Sequence, residues 1–196
     1  MLFGSPNPNL RVPATLAAVL DPTKYEALTL VDGERRWQTE RPPTDSETEA
    51  RLVNEGKLKP DDAHFLPADA ANPTDLIRLH RGSVRWNAYR KKWVLIAVQF
   101  GGKSSHLGEV WYAEAAAPTG PFRTAVKIAG HDRMTFYNPV HHPWLDRDGG
   151  RTIHFEGTYT NDFSGNPEKT PRYNYNQMLY RLDLEAPALK PAQQGK

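Results

Sequence analysis

From residue 81 onward the chain alternates short apolar runs with polar stretches that carry glycine or proline, the rhythm of strands joined by turns. Residues 83–87 read as a short strand and residues 88–92 as a turn. Trp93-Val94-Leu95-Ile96-Ala97-Val98-Gln99-Phe100 then runs apolar for the length of one strand, which is what a strand covered on both faces needs. Residues 101–108 read as a loop. Residues 109–115 form a third strand with Val110 and Tyr112 opposite to Trp111 and Ala113, and after Pro118-Thr119-Gly120-Pro121 a fourth strand spans 122–129. The order then repeats. A strand at 138–145 leads through Asp146-Arg147-Asp148-Gly149-Gly150 into a strand at 152–160. A polar loop covers 161–170, and a strand at 176–184 places Met178, Tyr180, Leu182 and Leu184 on one face. This second unit carries no clear fourth strand.

The first eighty residues differ in character. Residues 1–30 are rich in proline, turn apolar from Val12 to Leu20, break at Asp21-Pro22 and close on a short strand at 25–30. Thr44-Asp45-Ser46-Glu47 has the spacing of a capping box, a hydroxyl followed three residues on by a carboxylate. The polar segment after it is compatible with a helix, and Gly56 suits a left-handed C-terminal cap. A second short turn is expected at Pro60-Asp61-Asp62-Ala63. The expected organisation is therefore the end of a preceding blade or a connecting strand (1–30), a helical and loop insertion (31–80), two consecutive β-propeller blades (81–130 and 131–190) and a tail (191–196). Two units of strands at a period of ~55 residues carry that expectation. Because two blades cannot close a ring, the chain is expected to be an incomplete propeller, with self-association through bare sheet faces if it is truncated.

Composition narrows the function without choosing it. Hydrophobic residues make up 38% and charged residues 24%, which is ordinary for a folded protein and too apolar for a disordered one. A net charge of +2 comes with interspersed signs. Arg90-Lys91-Lys92, the densest basic cluster, falls in a hairpin turn, so nothing points to nucleic acid. The absence of cysteine excludes disulfides and thiolate metal or redox sites. No apolar run approaches ~18 residues, so no membrane span is expected, and the first residues show no signal peptide. There is no phosphate-cradling glycine loop, nucleophile elbow or zinc spacing.

Gly108-Glu109-Val110-Trp111-Tyr112-Ala113-Glu114-Ala115, followed by Ala117-Pro118-Thr119-Gly120-Pro121-Phe122, resembles the passage from third to fourth strand in five-bladed propeller glycoside hydrolases of the family 43 type, the arabinanases and β-xylosidases. Ile153-His154-Phe155-Glu156-Gly157 is similar to the strand that carries the general acid of that group. The resemblance covers residues 81–185 and implies a carbohydrate-active propeller acting on a poly- or oligosaccharide. It also implies that the intact protein works outside the cytoplasm, with an upstream signal peptide and further blades. It departs from the family in one respect: the catalytic Asp of the first blade's innermost strand has no matching segment here.

In a propeller, the loops at 101–108, 130–137 and 161–170 share one rim, where concave mouths take ligands. They hold His106, His131, Asp132, Asn161 and Asp162. Glu156 alternates with His154 and Thr158 along an otherwise apolar strand, which suits a carboxylic acid of raised pKa facing a glycosidic oxygen. It equally suits a ligand contact or a structural carboxylate. Asp132 and Asp162 are the candidate partner carboxylates. His141 and His142 point to opposite faces of their strand, so they do not chelate one ion together. No cofactor is expected, beyond a cation that such propellers can hold through a channel histidine. Trp86, Trp93, Trp111 and Trp144 offer either sugar-stacking planes or core packing. Asn138, Tyr173 and its neighbours through Gln177 suit sugar hydroxyls, and Arg133 and Arg172 suit an acidic sugar. Two readings result: a glycoside hydrolase-like protein with Glu156 as its acid, or a non-catalytic carbohydrate-binding or scaffold propeller.

Overall fold

The computed structural model describes residues 1–170 and 173–194 and is mainly β, with three sheets and few helices. The first sheet is an antiparallel meander of β1 (Leu2–Phe3), β2 (Leu10–Arg11), β3 (Glu26–Val31) and β4 (Glu34–Gln38). The second orders β5 (Ala68–Asp69), then β9 (Thr124–Gly130), β8 (Glu109–Ala115), β7 (Lys92–Gln99) and β6 (Leu79–Asn87). Within it β6 to β9 form an antiparallel meander, and β5 adds in parallel against β9. The third is the meander β10 (Thr135–His141), β11 (Thr152–Thr160) and β12 (Asn176–Asp183).

The apolar run of β7 lies at the centre of the second sheet. Val94 and Ile96 pack with Val110, Tyr112, Phe136, Ile153 and Phe155 between the second and third sheets. Leu95 and Ala97 pack on the opposite face with Trp111, Phe65, Ile77 and Phe122. Each large aliphatic side chain buried this way contributes about 1.5–3 kcal/mol, so a strand apolar on both sides is stable only at such a position. Among the described residues the third sheet gains no fourth strand. After β12 the chain forms a 3-10 turn and α3 (Lys190–Gln193), whose Ala192 joins Leu184 and Leu189 in the core between the two sheets.

The region expected as an insertion from residue 31 begins instead with a hairpin. Asp32 and Gly33 both take positive φ (50° and 81°), the two-residue turn whose twist matches paired strands, and Val31 pairs with Glu34 across it. The apolar run from Val12 to Leu20 holds the short α1 (Leu16–Val19), and the expected helix forms as α2 (Ser46–Asn54), but its cap is Asp45, whose carboxylate accepts from the Thr48 N–H at 2.8 Å. Thr44 is otherwise engaged: its hydroxyl accepts from the Leu30 N–H at 2.9 Å and ties the helix entry to β3. Inside α2, Glu49 is fully buried and accepts from the backbone N–H groups of His64 (3.0 Å) and Phe65 (2.7 Å) while pairing with Arg35. The strand expected at 138–145 lies earlier, at 135–141, because Pro143 opens a 3-10 turn at Pro143–Leu145. None of the helices among the described residues is long and apolar enough to cross a membrane.

Candidate functional site

Three loops meet at one end of the second and third sheets. The His131 N–H donates to the Gly108 carbonyl (3.0 Å) and the Phe136 N–H to the Leu107 carbonyl (2.9 Å). The Ser105 hydroxyl reaches the Met134 carbonyl (2.7 Å), and the Thr135 hydroxyl reaches the Asp162 carbonyl (2.6 Å). Gly108 is required at this junction, since a Cβ there would lie 2.5 Å from the Met134 carbonyl oxygen and 2.6 Å from that of His131.

On this base stands a row of rings. Phe100, just past β7, has the His106 ring against its edge at 4.4 Å and the Arg78 guanidinium 4.0 Å over its face. His80 lies 5.8 Å from Phe100 and 6.0 Å from Tyr137. Burial, then the nearby Arg81 guanidinium, hold the His80 imidazole below its usual pKa, so it is neutral at pH 7. Beyond Tyr137, a bulge in β10 puts exposed Asn138 in the left-handed region (φ 51°). Asp162 accepts from Asn174 Nδ2 (2.9 Å) and from the Tyr175 hydroxyl, and that second bond raises the Tyr175 pKa. The Asn174 side-chain oxygen in turn receives the Thr160 hydroxyl (3.2 Å) and the Asn161 N–H (3.3 Å). Tyr173 and Tyr175 are exposed. The arrangement sets aromatic rings beside planar amide, carboxylate and guanidinium groups, a mixture of apolar faces and hydrogen-bonding edges.

The other expected residues fall elsewhere. His131 is turned into the core, stacked on Phe136 at 4.7 Å and 13°, with the Tyr180 hydroxyl 3.3 Å from Nε2. It is a packing residue. Asp132 and Arg133 are exposed in the turn before β10. Glu156 is separate from the loops. It lies in mid-strand on the outer face of the third sheet, opposite Val140 and Leu179, with Oε1 3.1 Å from His142 Nε2. His154 shares that face, and its carbonyl accepts from the His142 N–H (2.9 Å). At about 3.3 Å per residue the strand carries Asn161 roughly 16 Å past Glu156, so Glu156 and Asp162 are not one paired-carboxylate site. Arg172 lies outside the described residues.

His141 faces the opposite way from His142, fully buried, with Nε2 2.9 Å from the Asp146 carboxylate and its N–H on the Ser83 hydroxyl (2.9 Å). Among the described residues, no three His, Cys, Asp or Glu side chains group to hold a metal ion. Of the tryptophans expected either to stack or to pack, Trp111 is buried, Trp86 and Trp93 pack edge to face at 5.8 Å, and Trp144 is exposed beside His142. A cavity of about 570 Å³ is bordered by residues flanking β1, by Gly82 to Arg85 of β6 and by Val140 of β10.

Buried imidazoles give the fold a defined acid response. Burial and the nearby Arg35 hold His64 down to about 4, and burial also lowers His131 and His141. A group whose folded pKa is depressed leaves stability intact above its unfolded pKa of about 6.5 and removes it as pH falls toward the folded value. Glu49, raised by burial, acts in the opposite sense. Urea unfolding at stepped pH should show stability falling between pH 6.5 and about 4, by up to about 3 kcal/mol from His64 alone. A flat profile across that window would show that these imidazoles titrate normally.

Neither a scan against protein-family models nor a search of curated proteins returns a match for this chain.

Proposed function

We propose that the chain forms consecutive blades of a β-propeller like those of the family 43 glycoside hydrolases, and that the loop end of its sheets binds a poly- or oligosaccharide without cleaving it. Two features support the propeller reading. Each sheet is built on an antiparallel meander, the meanders follow one another in chain order, and the large cavity is bordered by β6, β10 and the flanks of β1, each the first strand of its meander.

The observation that carries the binding reading is the row of Phe100, His80 and Tyr137 beside Asp162, Asn174 and Tyr175. Sugar rings present apolar C–H faces and hydroxyl edges, and this row offers a counterpart to each. Binding is favoured over hydrolysis because Glu156 is engaged by His142 and lies well along the strand from Asp162, whereas glycoside cleavage needs two carboxylates about 5–10 Å apart.

Calorimetry against a panel of plant and algal oligosaccharides tests this. At least one should bind, and Tyr137→Ala should weaken it about tenfold, close to 1.4 kcal/mol. Reducing-sugar release that Glu156→Gln abolishes would move the reading to hydrolysis. Binding that survives Tyr137→Ala undiminished would remove the ring row from the site.

A further inference from the structure

On the opposite face of the second sheet a cavity of about 380 Å³ opens between the loop-proximal ends of β7, β8 and β9 and the segment around residues 69–77. That volume is many times a single water and falls in the range of small-ligand sites, roughly 300–1,000 Å³. The charged groups that line it have partners. Glu109 is buried at the start of β8, 3.2 Å from Lys127 Nζ and 3.1 Å from the Ser104 hydroxyl. Asp75 pairs with Lys103, and Asp69 accepts from the Ala71 N–H at 2.8 Å.

Two neutral polar groups carried by lining residues do not. The indole N–H of Trp111 and the side-chain oxygen of Gln99 are buried with no hydrogen-bond partner among the described residues. Trp111 as a whole is 2% exposed. Buried groups of this kind are seldom left alone, because each costs about 1–3 kcal/mol unpaired.

We infer that this cavity is a second ligand site, distinct from the ring row, and that it takes a neutral polyhydroxylated ring of monosaccharide size. The unmet groups are one donor and one acceptor. A hydroxyl answers both, accepting from the Trp111 N–H and donating to the Gln99 oxygen, whereas an ion finds its counter-charges already engaged. Glu109 supplies further acceptor capacity at the same wall, and a buried carboxylate bound to a hydroxyl makes one of the stronger hydrogen bonds available.

The test uses the full chain labelled with ¹⁵N at its five tryptophans, with D-glucose, D-galactose, D-xylose and L-arabinose as probes. The Trp111 indole signal is the one missing from the Trp111→Phe spectrum. At least one sugar should shift that signal saturably, with a midpoint in the millimolar range. Glu109→Gln should raise the midpoint about tenfold, a loss of roughly 1.4 kcal/mol. Lys103→Ala, a change at an exposed residue of the same wall, should alter the midpoint if Glu109→Gln fails to fold. Tyr137→Ala should leave the Trp111 shift unchanged, which separates this site from the ring row. No shift with any of the four sugars up to about 100 mM overturns the inference. So does a midpoint that is unchanged in a folded Glu109→Gln protein, or unchanged in Lys103→Ala where Glu109→Gln does not fold.

Discussion

Glu49→Ala is expected to lower the free energy of unfolding by about 3–5 kcal/mol, a large part of the 5–15 kcal/mol that holds a typical domain together. The size follows from what the carboxylate does. It is fully buried in α2, takes the backbone N–H groups of His64 and Phe65, and faces Arg35, itself largely buried. Alanine would leave the two backbone donors without an acceptor and strip the Arg35 guanidinium of its counter-charge, with only the Asp62 carbonyl (3.1 Å) still accepting from it. Urea titration followed by circular dichroism reads the effect as a shift in midpoint at unchanged slope. Glu49→Gln keeps an acceptor for the two N–H groups and should lose less than half as much. A loss under about 1 kcal/mol for alanine would mean that the segment around His64 finds other partners.

The second large effect is expected at Phe136. Its ring is completely buried between the second and third sheets, stacked on His131, edge-on to Tyr180 (5.4 Å) and close to Phe155 (6.4 Å). Beneath it lies Gly157, where an added Cβ would come within 2.6 Å of the ring, so the strand has already been cut back to make room. Phe136→Ala should therefore cost about 3–5 kcal/mol, with little local collapse to soften it. For a chain of this length that corresponds to a melting temperature lower by roughly 10 °C, measurable by scanning calorimetry. A drop of only one or two degrees would indicate that Tyr180 and His131 close over the gap.

Much of the strand pattern is legible in the sequence where periodicity is strong. The expected strands at 109–115 and 152–160 coincide with β8 and β11, and the opposed faces of Val110/Tyr112 and Trp111/Ala113 are those seen in the two core clusters. Two-residue strands such as β1, β2 and β5 carry no period, so their pairing is set by tertiary contact and cannot be read locally. The β3–β4 hairpin was readable, since Asp-Gly between strand-like segments is a strong turn signal, but the charged run Glu34-Arg35-Arg36 hides its second strand.

The ring row illustrates a different gap. Arg78 and His80 alternate with buried Ile77 and Leu79, a period-two cue that β6 begins earlier than Ser83. That the loops at 101–108, 130–137 and 161–170 meet could be expected from a repeated strand order. That Glu156 stands apart from them follows from the strand expected at 152–160, which puts it in mid-strand, and the regular β11–β12 ladder from Thr152 to Tyr159 holds it there.

Both faces of β7 and β8 being covered has a consequence for how the molecule breathes. Amide protons of Leu95, Ile96, Tyr112 and Ala113 sit in paired central strands beneath fully buried side chains, so solvent reaches them only after the flanking layers have come away. The two-residue strands and the loop ends open at little cost, and the protein loosens from its margins inward. The loop ends are thus adjustable while the sheet that positions them keeps its shape.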